Sequence, residues 1–142
     1  MAERFSIGYV AELLKTVPLF ATCSKGQLKA VAGVTEIVEF AEESAICQEG
    51  GSDSDLYLIV EGTARVVVGG RARKHLTAGD FFGEIALLDG GPRTATVVAD
   101  MPVMCLRVDP AGMRRVLDAE PGLAAAMLHE VARRLRATDR TL

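Results

Sequence analysis

Between Val34 and Val108 the chain never runs far without a turn signal, and that spacing limits what it can become. Glu49-Gly50-Gly51-Ser52, Glu61-Gly62, Gly69-Gly70, Ala78-Gly79-Asp80 and Asp89-Gly90-Gly91-Pro92 follow one another at roughly the 8–12-residue spacing of an antiparallel sandwich or barrel. The segments between them are rich in β-formers. Val34–Phe40 alternates, and Leu56–Val60 is dominated by β-branched and aromatic residues. Ala64–Val68 and a strand near Arg73–Leu76 flank Gly69-Gly70 and read as a hairpin. A strand is expected to end at Gly79, and two more are expected at Thr94–Ala99 and Val103–Val108.

Outside this stretch the period becomes helical. Val10, Leu13, Leu14 and Val17 predict a helix over Tyr9–Thr16 that stops before Pro18. Ser24 is a cap for a second helix ending near Gly33. Asp109-Pro110 is a cap-plus-first-residue pair that opens a helix to about Glu120. Pro121 interrupts it, and a last helix runs from about Leu123 to Asp139. The expected fold is mainly β: an antiparallel β-roll, of the double-stranded β-helix or jelly-roll kind, with N-terminal helices and a C-terminal lid helix. As one domain of 142 residues, it divides into N-terminal helices over 9–33, a roll over 34–108 and C-terminal helices over 109–139.

Composition narrows the function classes. A net charge of −3 gives no sign of a nucleic-acid or membrane partner. Acids gather between Glu36 and Asp55, while Arg133, Arg134, Arg136 and Arg140 crowd the C-terminus and read as a solvated helix face. No apolar run approaches the roughly 18–20 residues that cross a bilayer, and Met1-Ala2-Glu3-Arg4 does not begin a secretory leader. Cys23, Cys47 and Cys105 are odd in number and far apart, so they read as reduced thiols in a cytoplasmic protein. His75 and His129 stand alone, and no metal or cofactor is expected. With no Ser–His–Asp, Cys–His or paired-carboxylate arrangement, the chain is not expected to be an enzyme.

One stretch does not fit a plain hairpin barrel, the run Gly79 to Val97. Glu84–Leu88 suggests a helical turn too short to bury much. Its use lies in its N-terminus, where backbone N–H groups and the local dipole suit an anion. Gly83 lacks a side chain where a ligand would approach the backbone. Arg93 offers a guanidinium fork for two phosphate oxygens. Glu84 would repel a phosphate but can accept from a sugar hydroxyl beside it. Taken alone, Glu84 and Arg93 would pair with each other across the turn. A 3′,5′-cyclic nucleotide instead uses both, through one phosphodiester and one free 2′-hydroxyl. A linear nucleotide brings more charge, and neither a P-loop nor a carboxylate cluster for Mg²⁺ is present to manage it.

Phe82-Gly83-Glu84-Ile85-Ala86-Leu87, followed after five residues by Arg93-Thr94-Ala95-Thr96-Val97, resembles the phosphate-binding cassette of the cyclic-nucleotide-binding domain family. That family includes the catabolite activator protein, protein kinase A regulatory subunits and cyclic-nucleotide-gated channels. The likeness extends to Val17-Pro18-Leu19-Phe20, Glu49-Gly50-Gly51, Asp55 to Gly62 and Ala78-Gly79-Asp80, roughly residues 9 to 138. It implies that Glu84 accepts from the ribose 2′-hydroxyl and Arg93 clasps the cyclic phosphate. It further implies that the N–H groups of Gly83, Ile85 and Ala86 cap phosphate or ribose, and that Thr94 adds a hydroxyl. cAMP is the expected ligand and cGMP the second choice.

In the last helix Ala124, Leu128, Val131 and Leu135 form a stripe at helical spacing. The resemblance makes this helix a lid, with Arg134 or Leu135 reaching the base. The implied function is a sensor whose lid closure is read by an effector protein or a fused domain, with a homodimer allowed. The alternative is a structural or dimerisation module with the same fold and no ligand.

Overall fold

In the computed structural model, residues 5–138 are described; Asp139 and Arg140 lie outside them. The described residues form two compact units, one from the chain before Thr35 and from Gly112 onward, the other Thr35–Ala111.

The second unit is the roll. Its strands are β1 (Glu36–Phe40), β2 (Ala45–Cys47), β3 (Leu56–Glu61), β4 (Ala64–Val68), β5 (Arg71–Leu76), β6 (Phe81–Phe82), β7 (Thr96–Ala99) and β8 (Val103–Val108). They make two four-stranded sheets, ordered β1-β8-β3-β6 and β2-β7-β4-β5, and every pairing is antiparallel. Chain neighbours β4 and β5 pair around Gly69-Gly70, whose φ angles of 58° and 80° suit the tight turn that matches strand twist. Inward residues Tyr57, Ile59, Ala64, Leu76, Val97, Val103 and Cys105 form the core between the sheets. The Cys105 thiol is pushed up to about 12 by burial, so it behaves as a small apolar side chain. On the outer surface Arg65 spans Glu43 at 2.7 Å and Asp100 at 2.6 Å, and the exposed His75 stands 3.5 Å from Asp100.

Several expected boundaries move. The strand placed up to Gly79 ends at Leu76, because Thr77 to Asp80 forms a turn in which the Asp80 carboxylate accepts from the Thr77 N–H at 2.8 Å. The strand expected from Thr94 starts at Thr96, since the residues before it leave the sheet to reach the neighbouring loop. A short helix, α3 (Glu84–Asp89), occupies the expected turn.

The first unit holds α1 (Ile7–Leu14), α2 (Lys25–Gly33) and α5 (Leu123–Thr138), with a 3₁₀ turn at Pro18–Phe20; α4 (Pro110–Ala119) begins in the roll unit and ends here. The first helix lies two residues earlier than its apolar spacing suggests, because the Ser6 hydroxyl caps it by accepting from the Tyr9 N–H at 3.2 Å. Ser24 and Gln27 close a reciprocal capping box on α2. The buried series on α5 is Leu123, Met127 and Glu130. Within the expected stripe, Ala124, Leu128 and Leu135 are exposed. The buried face lies one residue earlier than the expected one, and hydropathy hides it because a glutamate stands at one of its core positions.

Glu130 is 1% exposed, and neither carboxylate oxygen has a hydrogen-bond partner. Arg133 approaches one of them at 3.6 Å. Burying a carboxylate without donors is costly, and a well-packed apolar side chain of similar size is expected to do better. We expect Glu130→Leu to raise unfolding stability by about 1–4 kcal/mol in urea denaturation. A fall in stability would mean that the carboxylate gains a donor in solution.

Candidate ligand-binding site

The site is built where β6 turns into α3. Gly83 precedes the helix with φ +92°, and a Cβ there would run into the Asp55 carbonyl and the Arg93 guanidinium. Only glycine meets both demands. The first helical hydrogen bond runs from the Leu87 N–H to the Gly83 carbonyl at 3.0 Å, so the N–H groups of Ile85 and Ala86 precede the helical ladder. After α3, the Asp89 carboxylate accepts from the Gly91 N–H at 2.7 Å and bends the chain back toward Arg93.

Arg93 is fastened by backbone and side chain alike. Its carbonyl accepts from the Gly50 N–H at 2.8 Å, and its own N–H donates to the Gly51 carbonyl at 3.1 Å. Its side chain is 4% exposed. Nη2 donates to the Asp53 carboxylate and to the Asp55 carbonyl at 2.6 Å. The guanidinium carbon lies 5.8 Å from the centroid of the Tyr57 ring, close enough for a cation–π contribution. That ring stacks on Phe82 with centroids 5.2 Å apart. Nε has no hydrogen-bond partner.

The electrostatics follow from burial. Burial, the largest single influence, works against the charge of Arg93, but the hydrogen-bonded Asp53 carboxylate together with Cys47 and Tyr57 more than offsets it, and the guanidinium is held above its ordinary pKa. Burial, reinforced by Asp53, raises the Asp55 carboxyl. Tyr57 is pushed up to about 12, chiefly by burial, so its ring is a neutral platform.

A cavity of about 450 Å³ opens in front of these groups, lined by Gly83, Glu84, Ile85, Ala86, Arg93 and Thr94. The expected cassette residues therefore come together around one space. Val66, Leu76 and Val97 supply apolar wall, with Cys47 and Lys74 beside them. Burial raises the Cys47 thiol, which disfavours thiolate chemistry. Arg134 and Leu135 are on α5 in the helical unit, both exposed. Sequence reasoning missed Asp53, Tyr57 and Lys74. Tyr57 stands in the stretch Asp55 to Gly62, whose likeness to the family was visible; Asp53 falls between that stretch and Glu49-Gly50-Gly51, and its contact with Arg93, 40 positions on, was not visible. The arrangement offers a fixed cation, backbone donors, a hydroxyl, a carboxylate and an apolar wall within one cavity.

A sequence model described as "Cyclic nucleotide-binding domain" matches residues 37–120. The chain belongs to that family. It is similar, at 32% identity over 106 residues, to a cGMP-dependent protein kinase of Toxoplasma gondii, over 75% of this chain and 11% of the kinase. It is 31% identical over 114 residues to a cAMP-dependent protein kinase regulatory subunit of Colletotrichum orbiculare, over 79% of this chain and 29% of the subunit. The chain thus matches a minor part of these relatives. Among solved structures it resembles the N-terminal domain of a transcriptional regulator from Streptomyces coelicolor A3(2), with TM-score 0.83, 30% identity, and coverage of 92% and 96% of the two chains. A cyclic nucleotide-binding-like protein from Brucella abortus matches with TM-score 0.70 and 27% identity over 77% of this chain and 97% of that one. Among the described residues, no helix is long and apolar enough to cross a membrane.

In this cyclic nucleotide-binding domain Asp53 neutralises a guanidinium that solvent barely reaches. Asp53→Asn should lower unfolding stability by about 1–2 kcal/mol, less than for a fully buried pair because the Asp53 side chain is 42% exposed. Inorganic sulfate should restore more stability to this variant than it adds to the wild type, measured by urea denaturation with and without the salt. An equal sulfate response in both proteins would show that the ion does not reach Arg93.

Proposed function

We propose that the roll binds a 3′,5′-cyclic nucleotide and that the chain is a regulatory module rather than an enzyme. The observation that carries this reading is Arg93, buried at a cavity wall with Nε unpaired and its position fixed by Asp53 and the Asp55 carbonyl. A phosphodiester is a singly charged anion that a guanidinium fork can hold. Gly83, Ile85 and Ala86 would turn backbone N–H groups to phosphate or ribose. Glu84 would accept from the 2′-hydroxyl, and Thr94 would add a hydroxyl at phosphate or base. Val66, Leu76 and Val97 offer apolar surface to the sugar and base. Family membership supports the same ligand class. We infer cAMP as the preferred nucleotide, with cGMP binding more weakly.

The signal is proposed to be a response of α5, with Arg134 or Leu135 capping the base and an effector protein reading the change. The exposure of Leu128 and Leu135 at 69% and 67% supports this reading, since both are apolar side chains able to take up a new contact.

Calorimetric titration with cAMP and cGMP tests the site. Arg93→Lys keeps the charge but loses the fork, and Glu84→Gln loses the charge-assisted acceptor. Each should weaken binding by about 1.5–3 kcal/mol, roughly ten- to 150-fold, in a folded protein. Unchanged affinity in Arg93→Lys would overturn the site. Hydrogen exchange tests the signal: α5 amides should exchange more slowly with nucleotide, and α2 amides should respond less. Equal α5 exchange in both states would place the switch elsewhere.

A further inference from the structure

The helical unit carries a second cavity, of about 490 Å³, along α1 and α2. Its apolar lining comes from Gly8, Ala11 and Leu28 with the Tyr9 ring, and its charged lining from Lys15, Lys25 and Lys29 with Glu12. These lysines are exposed, and among the described residues no acid forms an ion pair with them. They stand out in a chain whose net charge is −3.

Two features have no explanation in the helices themselves. Lys25 is the first residue of α2, and α2 has no acid in its first turn. The helix dipole makes that end favourable for anions and unfavourable for a cation. Gly8 stands in the first turn of α1 with no positive φ, so the backbone does not require glycine, and a Cβ there would meet nothing within 4 Å. Alanine or leucine would favour the helix. Both choices make sense if something else enters the groove, with side-chain bulk over Gly8 and negative charge beside Lys25 and Lys29.

We propose that this groove docks an acidic segment of a partner protein, one carrying an apolar side chain flanked by carboxylates. The apolar side chain seats over Gly8, Ala11 and Leu28, and the carboxylates meet the lysines. A nucleic-acid backbone or an anionic lipid surface matches the lysines but leaves the apolar lining unused. Glu12, which also lines the groove, can accept a backbone N–H, which a peptide offers along its whole length and a phosphate backbone does not. The proposal does not depend on the nucleotide reading, because the groove belongs wholly to the other unit.

The test is fluorescence polarisation of the full chain with a fluorescein-labelled peptide of repeating glutamate and leucine. The same peptide with glutamine for glutamate is the control. The wild type should bind the acidic peptide saturably and the control at least about tenfold more weakly, with binding weakened by salt. Lys25→Glu with Lys29→Glu should lose at least about tenfold in affinity. Gly8→Leu, which fills the groove and leaves every charge in place, should lose as much. Circular dichroism and the unfolding midpoint establish that each variant folds, and either folded variant suffices for the test. The proposal is overturned by an absence of peptide binding in the wild type, or by wild-type affinity in a folded variant. It is also overturned if phosphatidylserine vesicles or a single-stranded oligonucleotide bind as tightly as the peptide, or if the variants' main effect in sedimentation is loss of self-association.

Discussion

The guanidinium of Arg93 is the group around which the roll's candidate site is arranged. A charge taken almost wholly out of water is stable only where partners replace the lost hydration. Here the replacement comes from one stretch about 40 residues earlier in the chain: the Asp53 carboxylate, the Asp55 carbonyl and the Tyr57 ring meet the guanidinium, and the Gly50–Gly51 backbone holds the main chain of Arg93. Gly83 must stay without a side chain because the guanidinium lies where a Cβ would project. Removing Arg93 would thus do more than delete a ligand contact. It would leave Asp53 without its cation, a backbone acceptor without its donor, and space beside Gly83.

That arrangement explains how so short a helix can be reliable. An isolated helix the length of α3 is marginal in water. Its start is set by the left-handed Gly83 and its end by Gly90, whose N–H donates to the Ala86 carbonyl at 2.8 Å. β6, only Phe81–Phe82, holds it to the sheet through pairing with Tyr57 and Leu58. Local propensity contributes little to either element. Their geometry comes from the glycines at the joints and from tertiary contact, as would suit the proposed site, which has to hold backbone donors and a cation at fixed separation.

Legibility in the sequence follows the same division. β1, β3, β4 and β8 were visible because they are five or six residues long with β-rich composition. β2 and β6 run to three and two residues and offer no period to read. The buried face of α5 was misread because Glu130 occupies a core position that a hydropathy pattern assigns to solvent. In the proposed site, Gly83, Glu84, Arg93 and Thr94 are read from residue type and order, since the cassette is contiguous. Asp53 cannot be. An acid in an acid-rich loop is ordinarily a solvated side chain, and only the fold brings it to Arg93.

Because Arg93 already has an anionic partner, the affinity of the proposed site is a difference between two pairings. A phosphodiester gains the guanidinium only to the extent that it outcompetes the Asp53 carboxylate or shares the fork with it. The two partners differ in what release costs them. The Arg93 side chain, 4% exposed, stays desolvated whichever anion it holds, whereas Asp53, 42% exposed, can recover most of its hydration by turning outward. The exchange is therefore far less costly than exposing a buried carboxylate, yet it still offsets part of the phosphate's interaction energy. A guanidinium left without Asp53 would hold any available small anion and discriminate poorly among them. With Asp53 in place, an anion must supply more than charge, and the contacts of a ribose hydroxyl with Glu84 and of a base with the apolar wall would provide that surplus. The Asp53–Arg93 pair would then serve specificity as well as stability, favouring a ligand that carries phosphate, sugar and base together over one that carries phosphate alone.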